Sequence, residues 1–226
     1  MNNFTSFLNY LSNKVQINFK EIVKQEDYLK KINFCFSTDD LEIIEKKDNL
    51  LNIYYLFKGN RYNPYSNLNN KLFDKVDYFI ADINQFNDEK VTLNNKFFKK
   101  IITIENLSFN KALIASYMYD FIDTKLKITG VTGTDGKTSV VTITRKIFNK
   151  SGYGSSSIGT LGFFNGEEEG DVLSSTPTTP ETNDIFKMFT SSYNSGNKNI
   201  FMEFTSIGSS LGRTDQINFD YLVFTN

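Results

Sequence analysis

The sequence predicts an α/β protein with a small amino-terminal α/β domain over residues 1–124. Residues 125–226 are predicted to form a mostly parallel sheet with helices on both faces. Three observations support this prediction. Strand-length apolar runs alternate with amphipathic helical segments. A glycine-rich turn joins a strand to a helix near residue 133. The length of 226 residues exceeds the ~150 residues of a typical single domain.

The first domain is predicted to begin with a helix and then to form strands. Phe4, Phe7, Leu8 and Leu11 recur at helical spacing. Runs rich in β-branched or aromatic residues follow at 32–36, 53–57, 76–80 and 101–104. A helix after Ser108 carries Ala112, Leu113, Tyr117 and Phe121 on one face, and residues 123–125 form the junction.

The second domain begins with a predicted strand over residues 126–131 and a helix from Lys137 to Asn149. Gly152 is the expected end of that helix. Its apolar face is assigned to Val140, Val141, Ile143 and Ile147. A strand over 155–160 follows, and Asn165-Gly166 is typical of a hairpin turn.

A second helix is predicted with Thr179 as its N-terminal cap and Pro180 in the first helical position. Its buried face comprises Ile185, Phe186, Phe189 and Tyr193. Two more strands, over 199–204 and 220–224, complete the pattern. The sequence stops directly after a strand, where we expect a parallel sheet to continue into a further helix.

Composition excludes several classes of chemistry. With 25 Lys and Arg against 26 Asp and Glu, the net charge is −1, so no large basic field for nucleic acid is expected. The absence of histidine excludes His-based acid–base catalysis and His-ligated zinc, and a single cysteine, Cys35, excludes an internal disulfide. No apolar run of ~18 residues and no signal peptide is found, which predicts a soluble, cytoplasmic protein.

The strongest chemical signal is the glycine-rich segment at residues 130–139. It lies between a predicted strand and a predicted helix, which is the context of a phosphate-binding loop. Glycines allow the backbone to approach phosphates, and the helix amino terminus supplies positive potential. Val131 stands where the strict phosphate-loop pattern has its first glycine. The predicted nucleotide-binding residues are Gly133, Thr134, Asp135, Gly136, Lys137, Thr138 and Ser139.

This loop resembles the ATP-binding loop of the Mur ligase family, the amide-forming enzymes of peptidoglycan precursor synthesis, with Asp135 where that family usually has Asn. Three later segments, at residues 175–181, 202–213 and 219–226, resemble the family's MurE-type (tripeptide synthetase) branch in order and spacing. The match is looser at residues 50–59 and 110–115. Residues 37–40 are a weak substitute for the Asp-Ser-Arg segment that binds uridine nucleotide, so the uridine site is unassigned.

The resemblance implies a role for each matching residue. Lys137 and Glu203 would be catalytic, and Thr138 and Glu203 would hold Mg²⁺ beside ATP. UDP-muramoyl-dipeptide would be bound by Thr178, Thr179, Ser206 and Arg213. The family's histidine is replaced by Ile207.

The implied reaction adds a diamino acid to UDP-MurNAc-L-Ala-D-Glu through an acyl phosphate formed with ATP. The family's proteins are about twice this length, so we expect the 226-residue chain, a monomer, to be inactive by itself as a ligase. Three alternatives remain open. The chain could come from another Mur ligase or a folylpolyglutamate synthetase-like ligase. It could be a non-catalytic nucleotide- or muropeptide-binding module, or an unrelated P-loop NTPase.

Overall fold

The computed structural model describes residues 3–35, 48–56, 63–68, 70–89, 95–166 and 177–226. The chain divides into two compact units, Met1–Ser108 and Phe109–Asn226. The boundary therefore comes earlier than the predicted junction. The helix assigned to the end of the first domain belongs to the second unit, because Ala112 and Ala115 share a core with Ile128.

The first unit contains a five-stranded sheet in the order β1-β5-β4-β3-β2. Strands β2 to β5 are parallel, and β1 pairs antiparallel with β5. The elements described in this unit are α1 (Phe4–Ser12), β1 (Ile17–Asn18), β2 (Lys31–Cys35), β3 (Leu50–Leu56), α2 (Asn70–Lys75), β4 (Tyr78–Asp82), α3 (Ile83–Glu89) and β5 (Ile101–Ile104).

The predicted first helix is confirmed as α1, and its four apolar residues have no solvent exposure. The predicted strands are also found, with shifted bounds. The strand expected to begin at Val76 begins at Tyr78, because the Val76 N–H donates to the Leu72 carbonyl as the chain leaves α2. The segment at residues 37–40, considered for the uridine site, lies outside the described residues.

Strand β4 ends in the buried carboxylate of Asp82, which is 7% exposed. One oxygen accepts the N–H groups of Asn84 and Gln85, at 3.0 and 3.2 Å. The other accepts the N–H of Leu107 at 2.9 Å. Asp82 thereby fixes the start of α3 and the loop that follows β5.

The second unit contains a five-stranded sheet in the order β10-β6-β9-β7-β8. Only β8 is antiparallel to its neighbour. The elements of this unit are α4 (Lys111–Met118), β6 (Lys127–Thr132), α5 (Lys137–Lys150), β7 (Ser155–Gly159), β8 (Gly162–Asn165), α6 (Thr182–Asn194), β9 (Asn199–Glu203), α7 (Ser206–Ser210) and β10 (Tyr221–Phe224).

Helices cover both faces of this sheet, as predicted. On one face Val141 of α5 packs with Val131 and Phe201. On the other, α6 and α4 pack against the alternate strand residues, represented by Ile128 and Ile200. Adjacent residues of β9 thus point to opposite cores, as strand geometry requires.

Two details of the helices were predicted wrongly. Ile143 and Ile147 are 56% and 57% exposed, because they lie on the side of α5 opposite Val141. The helix predicted to run to Phe121 ends at Met118, and Phe121 adopts a left-handed backbone conformation with φ 55°.

The structure has a hairpin turn at Thr160 and Leu161, between paired Gly159 and Gly162, which was not predicted. The turn predicted at Asn165-Gly166 borders residues 167–176, which lie outside the described residues. Helix α6 begins at Thr182 after Glu181, so Thr179 is not its cap. The Thr179 hydroxyl oxygen instead accepts the Thr205 N–H at 3.0 Å.

Candidate functional site

The glycine-rich loop connects β6 to α5, and two of its glycines have positive φ, 137° at Gly133 and 83° at Gly136. Such angles favour glycine. Space is also restricted at Gly133, where an added Cβ would lie 2.2 Å from the Thr225 hydroxyl oxygen. The loop therefore requires glycine at residue 133 for conformation and for room.

Lys137 is the first residue of α5, and its ammonium group folds back over the loop. It donates to the carbonyls of Gly133 and Thr134 at 2.7 and 2.8 Å. The first N–H groups of an α-helix have no intrahelical acceptor, so the start of α5 combines free donors with positive potential. This arrangement suits a phosphate group.

The end of β10 holds the loop from the other side. The side-chain oxygen of Asn226 accepts the N–H groups of Thr134 and Asp135, at 2.8 and 3.1 Å. The Thr225 hydroxyl donates to the Asp135 carbonyl at 2.5 Å. Two of the predicted phosphate-binding N–H groups are thus bonded to Asn226, and those at the start of α5 are left for a ligand.

Glu203 ends β9 with a side chain that is almost fully buried, at 1% exposure. It accepts three hydrogen bonds: from the Thr138 hydroxyl at 2.9 Å, from the Thr160 N–H at 3.1 Å and from the Thr160 hydroxyl at 3.2 Å. Gly159 makes room for it, since a Cβ there would lie 2.1 Å from one carboxylate oxygen.

These residues fit a magnesium ion. The Thr138 hydroxyl and the Glu203 carboxylate are hard oxygen ligands, and they meet beside the positive start of α5. Mg²⁺ commonly takes one or two protein oxygens and completes its shell with water and phosphate. Among the residues with described positions, no cluster of three acidic, cysteine or histidine side chains occurs.

The predicted substrate residues lie on two adjoining segments. Thr178 is hydrogen-bonded through its hydroxyl to that of Thr160, at 3.0 Å. Thr179 is 1% exposed and tethers the Thr205 N–H, so its side chain positions the segment. Ser206 is exposed at the start of α7, and the neighbouring Ile207 is 70% exposed.

Arg213 is held by groups around the start of α6. It donates to the Thr179 carbonyl at 2.8 Å and pairs with Glu181 at 2.7 Å. Its buried Nε has no hydrogen-bond partner. Lys111 lies 3.8 Å from the other Glu181 oxygen; burial lowers the pKa of Lys111, Glu181 opposes that shift, and Arg213 adds to it.

The structure therefore connects the predicted site residues Thr138, Glu203 and Thr178 by hydrogen bonds through Thr160. From the sequence, Thr160 was predicted only as the last residue of a strand. Lys111, Glu181 and Asn226 were also missed as site residues. For Thr160 and Asn226 the available signal was their position, because polar residues at the carboxyl ends of parallel strands collect at one sheet edge. Lys111 and Glu181 lie at the starts of helices, where no such signal exists. In the part of the chain that the structure describes, no helix is long and apolar enough to cross a membrane.

Comparison with known proteins shows a family match in the second unit. Residues 131–226 match the family model of the Mur ligase middle domain. The chain is 28% identical over 198 residues to the UDP-N-acetylmuramoyl-L-alanyl-D-glutamate--2,6-diaminopimelate ligase of Fusobacterium nucleatum, covering 88% of this chain and 38% of that protein. It is 37% identical over 115 residues to the corresponding L-lysine ligase of Staphylococcus haemolyticus, covering 51% of this chain and 23% of that protein.

The fold has a counterpart among solved structures. A UDP-N-acetylmuramoyl-L-alanyl-D-glutamate--2,6-diaminopimelate ligase superposes with a TM-score of 0.64 at 14% identity, over 91% of this chain and 38% of that one. At that identity the likeness concerns the fold. The chain thus spans two fifths or less of the length of each of these proteins.

Proposed function

We propose, from the match of residues 131–226 to the Mur ligase middle domain, that the chain carries the nucleotide and muramoyl-peptide sites of an ATP-dependent ligase. The ligase joins a diamino acid to UDP-MurNAc-L-Ala-D-Glu. The two relatives named above differ in their diamino acid, diaminopimelate in one and L-lysine in the other. The proposal therefore leaves that substrate as a diamino acid, and it retains the expectation of a cytoplasmic monomer.

In the proposed reaction, the D-Glu carboxylate oxygen attacks the γ-phosphorus of ATP, and ADP leaves with the electrons of the broken P–O bond. The amine of the diamino acid then attacks the acyl carbon, inorganic phosphate leaves, and the amine loses a proton. An amide forms without a covalent bond to the protein, so the absence of histidine is no obstacle. Catalysis rests on positioning and on neutralising phosphate charge.

Each residue of the site has a role in that chemistry. Lys137 neutralises phosphate charge, and the loop at Gly133 and Gly136 brings backbone donors close to it. Thr138 and Glu203 would hold Mg²⁺, which, when bound, shields the charge on the transferring phosphate. Ser139, at the start of α5, completes the predicted loop contacts.

The substrate side lies on the two segments that follow. Thr178, Ser206 and Arg213 would contact the muramoyl dipeptide, and Thr179 would hold Thr178 in place. Arg213 is suited to a carboxylate or phosphate because its guanidinium can make two parallel hydrogen bonds.

One observation carries the proposal. A buried glutamate at the end of β9 accepts a hydrogen bond from the threonine that follows the loop lysine. A buried carboxylate is unfavourable without a partner, and here its partners are the Thr138 hydroxyl at the start of α5 and the hydroxyl and N–H of Thr160 in the turn after β7. That set of neighbours favours a metal and nucleotide site over a structural ion pair.

Calorimetry on the 226-residue chain tests the proposal. We expect binding of a Mg²⁺ complex of a non-hydrolysable ATP analogue and of UDP-MurNAc-L-Ala-D-Glu. Lys137→Ala should weaken nucleotide binding by about 10- to 100-fold, since a hydrogen bond to a charged group contributes about 1.5–3 kcal/mol. Lys187→Ala is the matched control, because Lys187 is exposed and pairs only with Asp184 at 3.5 Å.

Two results would contradict the proposal. The first is nucleotide binding that does not depend on Lys137. The second is tight binding of a folate in place of the muramoyl dipeptide, which would favour a folylpolyglutamate synthetase-like ligase. ATP hydrolysis that is insensitive to the muramoyl dipeptide would point to an unrelated NTPase.

A further inference from the structure

Four side chains from separate segments form a continuous hydrogen-bonded chain in the second unit. The Thr138 hydroxyl lies 2.9 Å from one Glu203 oxygen, and the Thr160 hydroxyl lies 3.2 Å from the same oxygen. The Thr160 hydroxyl is also 3.0 Å from that of Thr178. Thr160 is therefore the connection between the carboxylate proposed for the metal and the hydroxyl proposed for the substrate.

Counting protons fixes the direction of these hydrogen bonds. A hydroxyl has one proton and two lone pairs, whereas a carboxylate only accepts. The Thr160 proton therefore goes to Glu203. The contact between Thr160 and Thr178 then needs the Thr178 proton, since Thr160 has no second one. Thr178 is left with lone pairs alone to offer a ligand.

We propose that Thr160 is a positioning residue that fixes Thr178 as a hydrogen-bond acceptor toward the substrate and couples this contact to Glu203. The inference rests on the proposed function. It identifies the substrate group at Thr178 as an N–H or O–H donor, and excludes a phosphate or carboxylate oxygen there. The muramoyl dipeptide carries amide and hydroxyl donors of that kind.

Coupling follows from the shared hydroxyl. A metal–nucleotide complex that holds Glu203 and Thr138 also holds Thr160, and Thr160 then keeps Thr178 in its accepting orientation. The muramoyl dipeptide should therefore bind more tightly in the presence of the nucleotide. By thermodynamic linkage, the nucleotide should gain the same factor from the dipeptide.

The test replaces the Thr160 side chain and leaves its backbone in place. Thr160→Val removes the hydroxyl and keeps the branched shape, and Thr160→Ser keeps the hydroxyl. Thr160 is exposed and has no positive φ, so the turn accepts both residues. Its N–H still donates to Glu203 in every variant. Thr190→Val is the control, because the Thr190 hydroxyl bonds only to the Phe186 carbonyl of its own helix.

The measurement is the dissociation constant of UDP-MurNAc-L-Ala-D-Glu, with and without a saturating Mg²⁺ complex of a non-hydrolysable ATP analogue. In the unaltered chain we expect the nucleotide to lower this constant about fivefold or more, at the lower end of common coupling factors. Thr160→Val should reduce that factor to about one, and Thr160→Ser and Thr190→Val should keep it. A purely structural role for Thr160 would weaken binding without changing the ratio.

Each outcome decides one question. If the unaltered chain binds both ligands and Thr160→Val keeps the factor, the coupling role is wrong and the proposed function stands. If the unaltered chain shows no factor, the coupling role is also wrong. If it binds neither ligand, the proposed function fails and the coupling role fails with it. Circular dichroism checks folding, and Thr160→Ala makes the same prediction should Thr160→Val not fold.

Discussion

Each unit ends a parallel strand with a buried carboxylate, and the two carboxylates have different neighbours. Asp82, at the end of β4, accepts three backbone N–H groups. Glu203, at the end of β9, accepts two side-chain hydroxyls and one backbone N–H. Backbone donors are fixed by the fold, whereas hydroxyls can rotate toward a ligand. A buried carboxylate at a strand end therefore does not by itself indicate a ligand-binding site. Side-chain hydroxyl donors around it do, because they can reorient toward a ligand.

The largest expected effect separates the two carboxylates by binding. Glu203→Gln should weaken the Mg²⁺-dependent binding of nucleotide by about 30-fold or more, because Mg²⁺ strongly prefers a charged oxygen ligand. Its free energy of unfolding should change by less than about 1 kcal/mol, since the Gln oxygen can keep the Thr160 N–H and the two hydroxyls can rotate to accept from the new NH₂ group. Titration of the ATP analogue at low and high Mg²⁺, with a urea unfolding curve, measures both. Equal binding at both Mg²⁺ concentrations in the unaltered chain would contradict the metal role.

The second prediction is the reverse case. Asp82→Asn should lower the free energy of unfolding by about 1–3 kcal/mol, because the new NH₂ group faces a backbone N–H and leaves it without an acceptor. Nucleotide affinity should not change. Urea unfolding followed by tyrosine fluorescence, together with the same calorimetry, tests this. A loss of nucleotide binding in a folded Asp82→Asn variant would remove the distinction between the two strand ends.

A third prediction concerns pH and a second pair of buried carboxylates. Burial alone would raise the pKa of Asp27, but hydrogen bonds from Lys30 and Tyr78, the latter at 2.5 Å, outweigh it and lower the pKa. Asp123 has a single hydroxyl partner, Ser116 at 2.6 Å, so burial dominates and raises its pKa.

The signs of the two contributions to stability are opposite. The contribution of Asp27 is present above its unfolded pKa and is lost as pH falls through the lower folded pKa. The contribution of Asp123 is present below its unfolded pKa and is lost as pH rises through the higher folded pKa. Asp27→Asn should therefore reduce stability at pH 7 and weaken its acid dependence. Asp123→Asn should leave stability at pH 7 unchanged or higher. Urea unfolding curves from pH 3 to 7 measure both effects. If the two variants changed the pH dependence of stability in the same direction, the prediction would be wrong.

The smallest effect is expected at an exposed carboxylate. Glu181 is 54% exposed and lies between Arg213 and Lys111. Glu181→Gln should change the free energy of unfolding by less than about 0.5 kcal/mol, as for most surface ion pairs. It should tighten binding of the anionic muramoyl dipeptide by about two- to threefold at low salt, because the two cations lose a competing charge. An effect that persists in high salt would argue against this electrostatic cause.

Much of the fold could be predicted because the relevant signals are local. The periodicity of α1, the apolar strands and the glycine-rich turn each depend on a few consecutive residues, and all three predictions agree with the structure. The errors arose where tertiary contacts decide. Ile143 and Ile147 fit a helical apolar stripe, yet the sheet contacts the other side of α5. Thr179 is a residue type that is common at helix caps, but its hydroxyl oxygen instead accepts the Thr205 N–H.

The site could be predicted only in part, for the same reason. Lys137, Thr138 and Glu203 were predicted from a short loop pattern and a family resemblance. Thr160 and Asn226 act through partners 43 and 92 positions away, so their place after a strand indicates the sheet edge but not the residues that they contact. Only the strand order, which brings β6, β7, β9 and β10 into one sheet, shows that they meet.

The absence of a side chain at Gly159 has an evolutionary consequence. Because a Cβ there would lie 2.1 Å from a Glu203 oxygen, the two positions cannot vary independently. Because that Cβ would also lie 2.7 Å from the Glu203 Cγ, a shorter acid at position 203 would not relieve the contact. Relatives that keep a carboxylate at the position of Glu203 should therefore keep glycine at the position of Gly159, and the two residues should be retained or lost together.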